Sequence, residues 1–267
     1  MSQAPAPEVP PRLLAETDPE PVVVTRKDGA SPFLLVCDHA GRSFPAALGQ
    51  LGLPNEELER HIAWDIGARA VARHLSQALD ATLVEQVYSR LVIDCNRPLA
   101  AEGSIPRISE ITAIPGNEVV SEAERAARQG EIFAPYHAAI RGEIARRDEA
   151  RRRSVVIAVH SFTPVYKGES RPWHVGTLYG RDPRLAAPLG AVLAEEDGLV
   201  VGDNEPYAVT DATDWTIPTH GEALKLLYVG IEIRQDLVGE EAGQREWAER
   251  LVAALPKALA AADGAPA

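Results

Sequence analysis

The sequence predicts an α/β fold in three layers, a mixed and mainly parallel sheet with helices on both faces. Two patterns predict it. Short β-branched apolar runs alternate with helical stretches along most of the chain. Several of those runs are apolar throughout, as suits central strands covered on both sides. Bulk agrees: 267 residues, 45% of them hydrophobic, can fill one sizeable core. Residues 1–20, rich in Ala, Pro and Glu, read as a flexible tail or strap, and residues 21–262 as a single domain.

The strand signals fall in order at Pro21–Thr25, Phe33–Cys37, Thr82–Val87, Leu91–Cys95, Val155–His160, Val175–Tyr179, Leu199–Gly202 and Tyr228–Ile233. Between them, Asn55 is placed to cap a helix from Glu56 to Leu79, with Leu58, Ile62, Ile66, Ala70 and Leu75 on one stripe. Ser121-Glu122-Ala123-Glu124 matches a capping box and opens a second helix toward Arg153, with a break near Pro135. Arg184–Glu196 and Gly243–Ala262 read as helices too. Three irregular stretches, residues 100–120, 166–174 and 204–221, follow strand signals. Long loops in a compact domain are usually functional. These fall at the carboxyl edge, where open α/β sheets bind ligands.

Charge narrows the partners. With 39 acidic against 27 basic residues and a net charge of −12, the chain gains nothing from nucleic acid or an anionic membrane. No apolar run approaches the ~18 residues of a membrane span. The first 20 residues lack the basic and apolar regions of a signal peptide. Cys37 and Cys95 each lie in an apolar run, as two reduced thiols would. The expectation is a cytoplasmic monomer or small homo-oligomer acting on a small anionic substrate.

Polar groups gather where apolar runs end: Asp38-His39, Asn96-Arg97, His160-Ser161 and Glu232-Ile233-Arg234. Two histidines from separate strands plus a carboxylate can hold a zinc ion with one position open. His39 and His160 are the candidate ligands. A single strand-end histidine is ordinarily a hydrogen-bonded core residue, but two in matching positions shift that balance. Asp65 is the candidate third ligand, on the edge of its helical stripe, with Asp38 as the alternative; its bland reading is an ion pair with Arg69. Glu232, between Ile231 and Ile233, is the candidate general base. Arg90, Arg97 and Arg234 suit a carboxylate-bearing substrate; in the bland reading Asp94 and Asp236 neutralise some of them. His137, His174 and His220 are candidate contacts around the substrate, and His61 and His74 read as helix-surface residues. Two other readings remain open: a metal-free hydrolase with Ser161 or Cys37 as nucleophile, and a carboxylate-binding protein without turnover.

Six segments taken in order resemble the motifs of the N-formylglutamate amidohydrolase family: Val36–Gly41, Trp64–Gly67, Ser89–Pro98, Pro135–His137, His160–Pro164 and Ile231–Asp236. The resemblance covers roughly residues 30 to 255. It implies a zinc-exopeptidase-like α/β/α hydrolase that removes the formyl group of N-formylglutamate, an activity belonging to histidine catabolism. It further implies His39 and His160 as ligands, Glu232 as base and Asn96-Arg97 as the grip on a substrate carboxylate. One departure stands out: the exopeptidase pattern has Glu three residues after its first His, and this chain has Arg42.

Overall fold

The computed structural model describes residues 12–264; residues 1–11 of the expected tail lie outside the described residues. The strands in chain order are β1 (Val22–Thr25), β2 (Phe33–Cys37), β3 (Thr82–Gln86), a small hairpin of β4 (Ile108–Ser109) and β5 (Thr112–Ala113), β6 (Val155–Phe162), a second hairpin of β7 (Val165–Tyr166) and β8 (Glu169–Ser170), β9 (Val175–Leu178), β10 (Val201–Asp203) and β11 (Leu227–Arg234). The hairpins stand apart. The other seven strands form one sheet in the order β1-β3-β2-β6-β11-β9-β10. Its centre, β3-β2-β6-β11, is parallel; β1 and β9 pair antiparallel to their inner neighbours.

The helices are α1 (Asn55–Leu58), α2 (Ala68–Leu79), α3 (Glu122–Arg128), α4 (Ala134–Glu149), α5 (Ala186–Ala194) and α6 (Glu241–Gly264). On one face α2, α5 and α6 bury Val71, Leu75, Leu189, Leu251 and Leu255 against Leu35, Leu83, Ile157 and Val229. On the other, Phe133, Tyr136 and Ile140 cover Leu34, Val36 and Val156. The central strands are therefore covered twice, which is why their sequences do not alternate. The three-layer α/β/α expectation holds. No helix among the described residues is long and apolar enough to cross a membrane.

Residues 12–20 lie along the body as a strap. The N–H groups of Leu13 and Leu14 donate to Glu131 at 2.7 and 2.9 Å, and Tyr88 Oη donates to the Pro19 carbonyl at 2.6 Å.

Three expected elements differ. Leu91–Cys95 is not a strand but a set of turns. Its side chains are buried, and the Leu91 and Val92 carbonyls accept from the Asn117 and Arg128 side chains, both at 2.8 Å, instead of from a neighbouring strand. Composition cannot separate such a run from a buried strand. The single helix over 56–79 is two pieces, a one-turn α1 and α2, separated by turns. Asn55 caps neither; its Oδ1 accepts from Gln50 at 2.9 Å. Gly67 makes the break: it takes φ +79°, and a Cβ there would lie 2.1 Å from the Val238 carbonyl oxygen. The edge strand begins at Val201 instead of Leu199. The helix opened by Ser121 forms as expected, with Ser121 Oγ accepting from Glu124 N at 3.1 Å; it passes through a π-helical turn (Gln129–Phe133) just before Pro135 and continues to Glu149.

Candidate active site with a His–Asp–His group

Parallel pairing places Glu232 of β11 beside His160 of β6, and the small pair Gly230 and Ala158 beside each other two residues earlier, on the floor of a cleft of about 640 Å³. β2 ends at Cys37, so Asp38 and His39 lie beyond the strand and escape its alternation. Both reach the site, so Asp38, the alternative third ligand, is present there as well. Asp65 arrives from the turn ahead of Gly67, its backbone N–H donating to the His39 carbonyl at 3.0 Å. The helix break therefore aims Asp65 inward. Arg69 is not its partner but donates to the buried Glu85 at 2.8 Å.

His39, Asp65 and His160 are buried and each offers a ligand atom, all within 4.8 Å of one another. Asp65 Oδ2 is 3.3 Å from His39 Nδ1 and 2.8 Å from His160 Nδ1. Each ring turns its other nitrogen to a second carboxylate: His39 Nε2 lies 2.7 Å from Asp94 Oδ1, and His160 Nε2 lies 3.1 Å from Asp38 Oδ2. Asp38 Oδ1 accepts from Tyr136 Oη at 2.8 Å and Thr216 Oγ1 at 2.7 Å. Arg90 bridges Asp94 Oδ2 at 2.8 Å and Asp65 Oδ1 at 3.3 Å. Carboxylates behind both imidazoles fix ring orientation and raise ring basicity, as outer partners of metal-binding histidines do.

The charges are unbalanced. Asp38, Asp65, Asp94 and Glu232 are buried beside one permanent cation, the partly exposed Arg90. Burial works against a charged His160, but its bonds to Asp38 and Asp65 hold its pKa well above the ordinary range; His39 is raised in the same way by Asp94 and Asp65. Conversely, the neighbouring cations outweigh burial to hold Asp38 down to about 2 and to push Asp65 and Asp94 below the usual carboxylate range. Glu232 differs. Burial pushes it up to about 7, and its Oε2 has no hydrogen-bond partner among the described residues. With both rings neutral, as metal ligands must be, the carboxylates outnumber the one arginine, and among the described residues His39, Asp65 and His160 are a group able to hold a divalent cation in place of those protons.

The remaining expected residues separate into two groups. Arg90, Asn96 and Arg97 line the cleft. The Asn96 amide is committed to the loop opposite: Nδ2 donates to Asp214 at 3.2 Å, and Oδ1 accepts the N–H groups of Trp215 and Thr216 at 3.1 and 3.0 Å. Arg97 donates to the Thr213 carbonyl and remains a third exposed. The other four do not reach the cleft. His137 and His220 are buried and bonded to each other at 2.9 Å. His174 Nδ1 accepts the Val200 N–H at 2.9 Å, pinning the edge strand. Arg234 pairs with Asp236 at 2.8 Å, the bland reading raised for it.

Asp94, Tyr136 and Thr216 hold the histidines or Asp38 without having been singled out for that role. The apolar run read as a strand concealed Asp94, and nothing in the sequence links Thr216 to a residue 178 positions away. His61, expected on a helix surface, lines the cleft near Glu110. The metal-free nucleophiles find no support: Ser161 Oγ donates to the Ile66 carbonyl at 2.7 Å, and burial raises the Cys37 thiol, which packs in the core on the other face of the sheet.

Three layers around a mainly parallel sheet, with buried histidines, carboxylates and a cleft at the carboxyl ends of its central strands, define an α/β protein with a polar cleft at one edge of its sheet. The sequence profile of the N-formylglutamate amidohydrolase family matches residues 31–238, and the chain belongs to that family. It is 28% identical over 207 residues to the N-formylglutamate deformylase of Pseudomonas aeruginosa, a match covering 66% of this chain and 71% of that one. The crystal structure of a gene product of Agrobacterium tumefaciens superposes with a TM-score of 0.91 at 42% identity, covering 94% of this chain and 100% of that one. The N-formylglutamate amidohydrolase of Ralstonia eutropha shares the fold, with a TM-score of 0.64 at 20% identity over 92% of this chain and 100% of that one.

Proposed function

We propose that the chain is a metal-dependent amidohydrolase that splits the N-acyl amide of an N-formyl, or closely related N-acyl, acidic amino acid into a carboxylate and the free amino acid. The observation that carries this reading is Glu232: a buried carboxylate with an unpartnered oxygen and a pKa near 7, lining the cleft beside the His39–Asp65–His160 group. A base poised near neutrality can take a proton and give it back. A divalent ion held by His39, Asp65 and His160 supplies Lewis-acid polarisation of a carbonyl and acidifies water toward neutrality.

The chain's own residues account for the rest. Glu232 accepts the proton of the attacking water and passes it to the departing amine nitrogen as the C–N bond breaks. Formate and the amino acid leave, and Glu232 is again unprotonated. Arg97 offers its remaining donors to a substrate carboxylate, while Asn96 holds the 214–216 loop that seats it. Asp94 and Asp38 keep the two rings oriented.

The test couples metal analysis of the purified protein to formate release from N-formylglutamate, before and after chelation. About one divalent ion per chain, activity lost with chelator and restored by zinc, and a fall of about 10²–10⁴-fold in kcat for Glu232→Gln are expected. Full turnover in chelator would return the metal-free reading. Substrate binding that survives Glu232→Gln with no turnover in either form would leave a carboxylate-binding protein.

A further inference from the structure

Beside the cleft, three of the rings that line it hold a further arginine that this chemistry leaves unused. The β7–β8 hairpin, closed by the Arg171 N–H donating to the Pro164 carbonyl at 2.8 Å, brings Tyr166 up beside Arg171. The Arg171 guanidinium lies 4.6 Å from the Tyr166 ring centre, 4.7 Å from that of Tyr207 and 5.9 Å from that of Phe162. All three rings line the cleft. Nη1 donates to Tyr207 Oη at 2.7 Å.

The contrast with the neighbouring arginines is informative. Arg90 is paired with Asp65 and Asp94, Arg97 faces Asp214, and Arg234 is paired with Asp236. Arg171 has no carboxylate partner among the described residues. Stacking against rings occupies the faces of a guanidinium and leaves its in-plane N–H groups available. A planar fork held between aromatic rings has already lost the rotamer freedom that binding would otherwise cost it. Such a group beside a cleft is prepared for a carboxylate.

We infer that Arg171, held between Tyr166 and Tyr207 at the cleft rim, is an anion subsite for the side-chain carboxylate of a dicarboxylic substrate, distinct from the carboxylate grip assigned to Arg97. The inference rests on the amidohydrolase reading for the identity of the substrate, but not for the existence of the subsite. It makes Arg171 a determinant of acidic over neutral side chains. A merely structural stitch between the hairpin and the 204–210 loop would disturb all ligands alike.

Two measurements separate the alternatives. In the kinetic arm, N-formylglutamate is compared with N-formylglutamine. Arg171→Gln is expected to lower kcat/KM for the acidic substrate about 10- to 100-fold, chiefly through KM. It should change the neutral substrate less than about threefold, about 0.65 kcal/mol, and Arg171→Lys should fall between. In the binding arm, which needs no turnover, calorimetry compares glutarate with butyrate. Wild type should prefer glutarate, and Arg171→Gln should lose that preference while melting at the wild-type temperature. Equal effects on acidic and neutral ligands, an unchanged glutarate affinity in the variant, or no wild-type preference would overturn the subsite. Absence of turnover with the glutarate preference intact would overturn the amidohydrolase reading alone.

Discussion

Two pairs of buried histidines sit close together in this protein with nearly the same spacing, ring centroids 5.1 Å apart for His39 and His160 and 5.2 Å for His137 and His220. Their chemistry is opposite. The first pair is surrounded by Asp38, Asp65 and Asp94, and its pKa values are raised. The second is packed against Phe133, Tyr136 and Trp215. Burial depresses its members to about 4 and about 3, the Asp38 charge opposing too weakly and Arg141 adding to the fall. His137 Nε2 donates to the Cys95 carbonyl at 2.8 Å, so its Nδ1 accepts from His220 Nε2, and both rings are neutral. Burial does not decide what a histidine does here; the carboxylates in contact with it do.

The two pairs are also joined. Tyr136 and His137 share α4, while Thr216 precedes, and His220 lies within, the π-helical segment Ile217–Glu222 before β11. The His137–His220 bond fastens these two elements where Tyr136 and Thr216 both donate to Asp38. On the proposed function one pair serves the chemistry, and the other is the bolt behind it.

The sharpest way to break this contrast is His160→Asn. It should remove the ion from purified protein and lower turnover by several kcal/mol of transition-state stabilisation, about 10³-fold. Elemental analysis with a formate assay decides, and retained metal would contradict the ligand assignment. Asp94→Asn comes next. It keeps the shape but weakens the support behind His39, and metal affinity should fall about 10- to 100-fold in a competitive chelator titration.

His220→Ala should instead behave as a stability variant. It leaves His137 Nδ1 buried without a donor, costing about 1–3 kcal/mol in urea unfolding, with metal content unchanged. Loss of metal would make the second pair part of the site. A further effect is on pH dependence. Because the folded pKa values of His137 and His220 lie below the ordinary histidine value, the unfolded chain binds more protons between about pH 6.5 and pH 4. Stability should therefore drop as the pH is lowered through that window, by at most about 1.4 kcal/mol per pH unit for each ring. His137→Asn combined with His220→Gln should flatten that slope relative to wild type.

Strand-end residues were readable in sequence where a strand exists to present them. His160 and Glu232 end apolar runs that do form β6 and β11, and their adjacency follows from parallel pairing. Asp65 was singled out for the wrong reason. The stripe around Ile62 suggested a helix, whereas Gly67 ends the turns and aims the carboxylate. Asp94 was passed over as a candidate bracket for His39, because Leu91–Cys95 looks like a strand and its true hydrogen-bond partners, Asn117 and Arg128, lie far along the chain.

Period, apolar runs and the residue types at their ends are local properties, and they determined the layered α/β architecture, the edge that carries the chemistry, and two histidines and a glutamate within it. Which carboxylate meets which ring, which of the arginines near the cleft are neutralised, and which histidines carry a proton are set by contacts between residues up to 178 positions apart. Those contacts act through burial and charge over a few ångströms, and only the folded chain brings them within that distance.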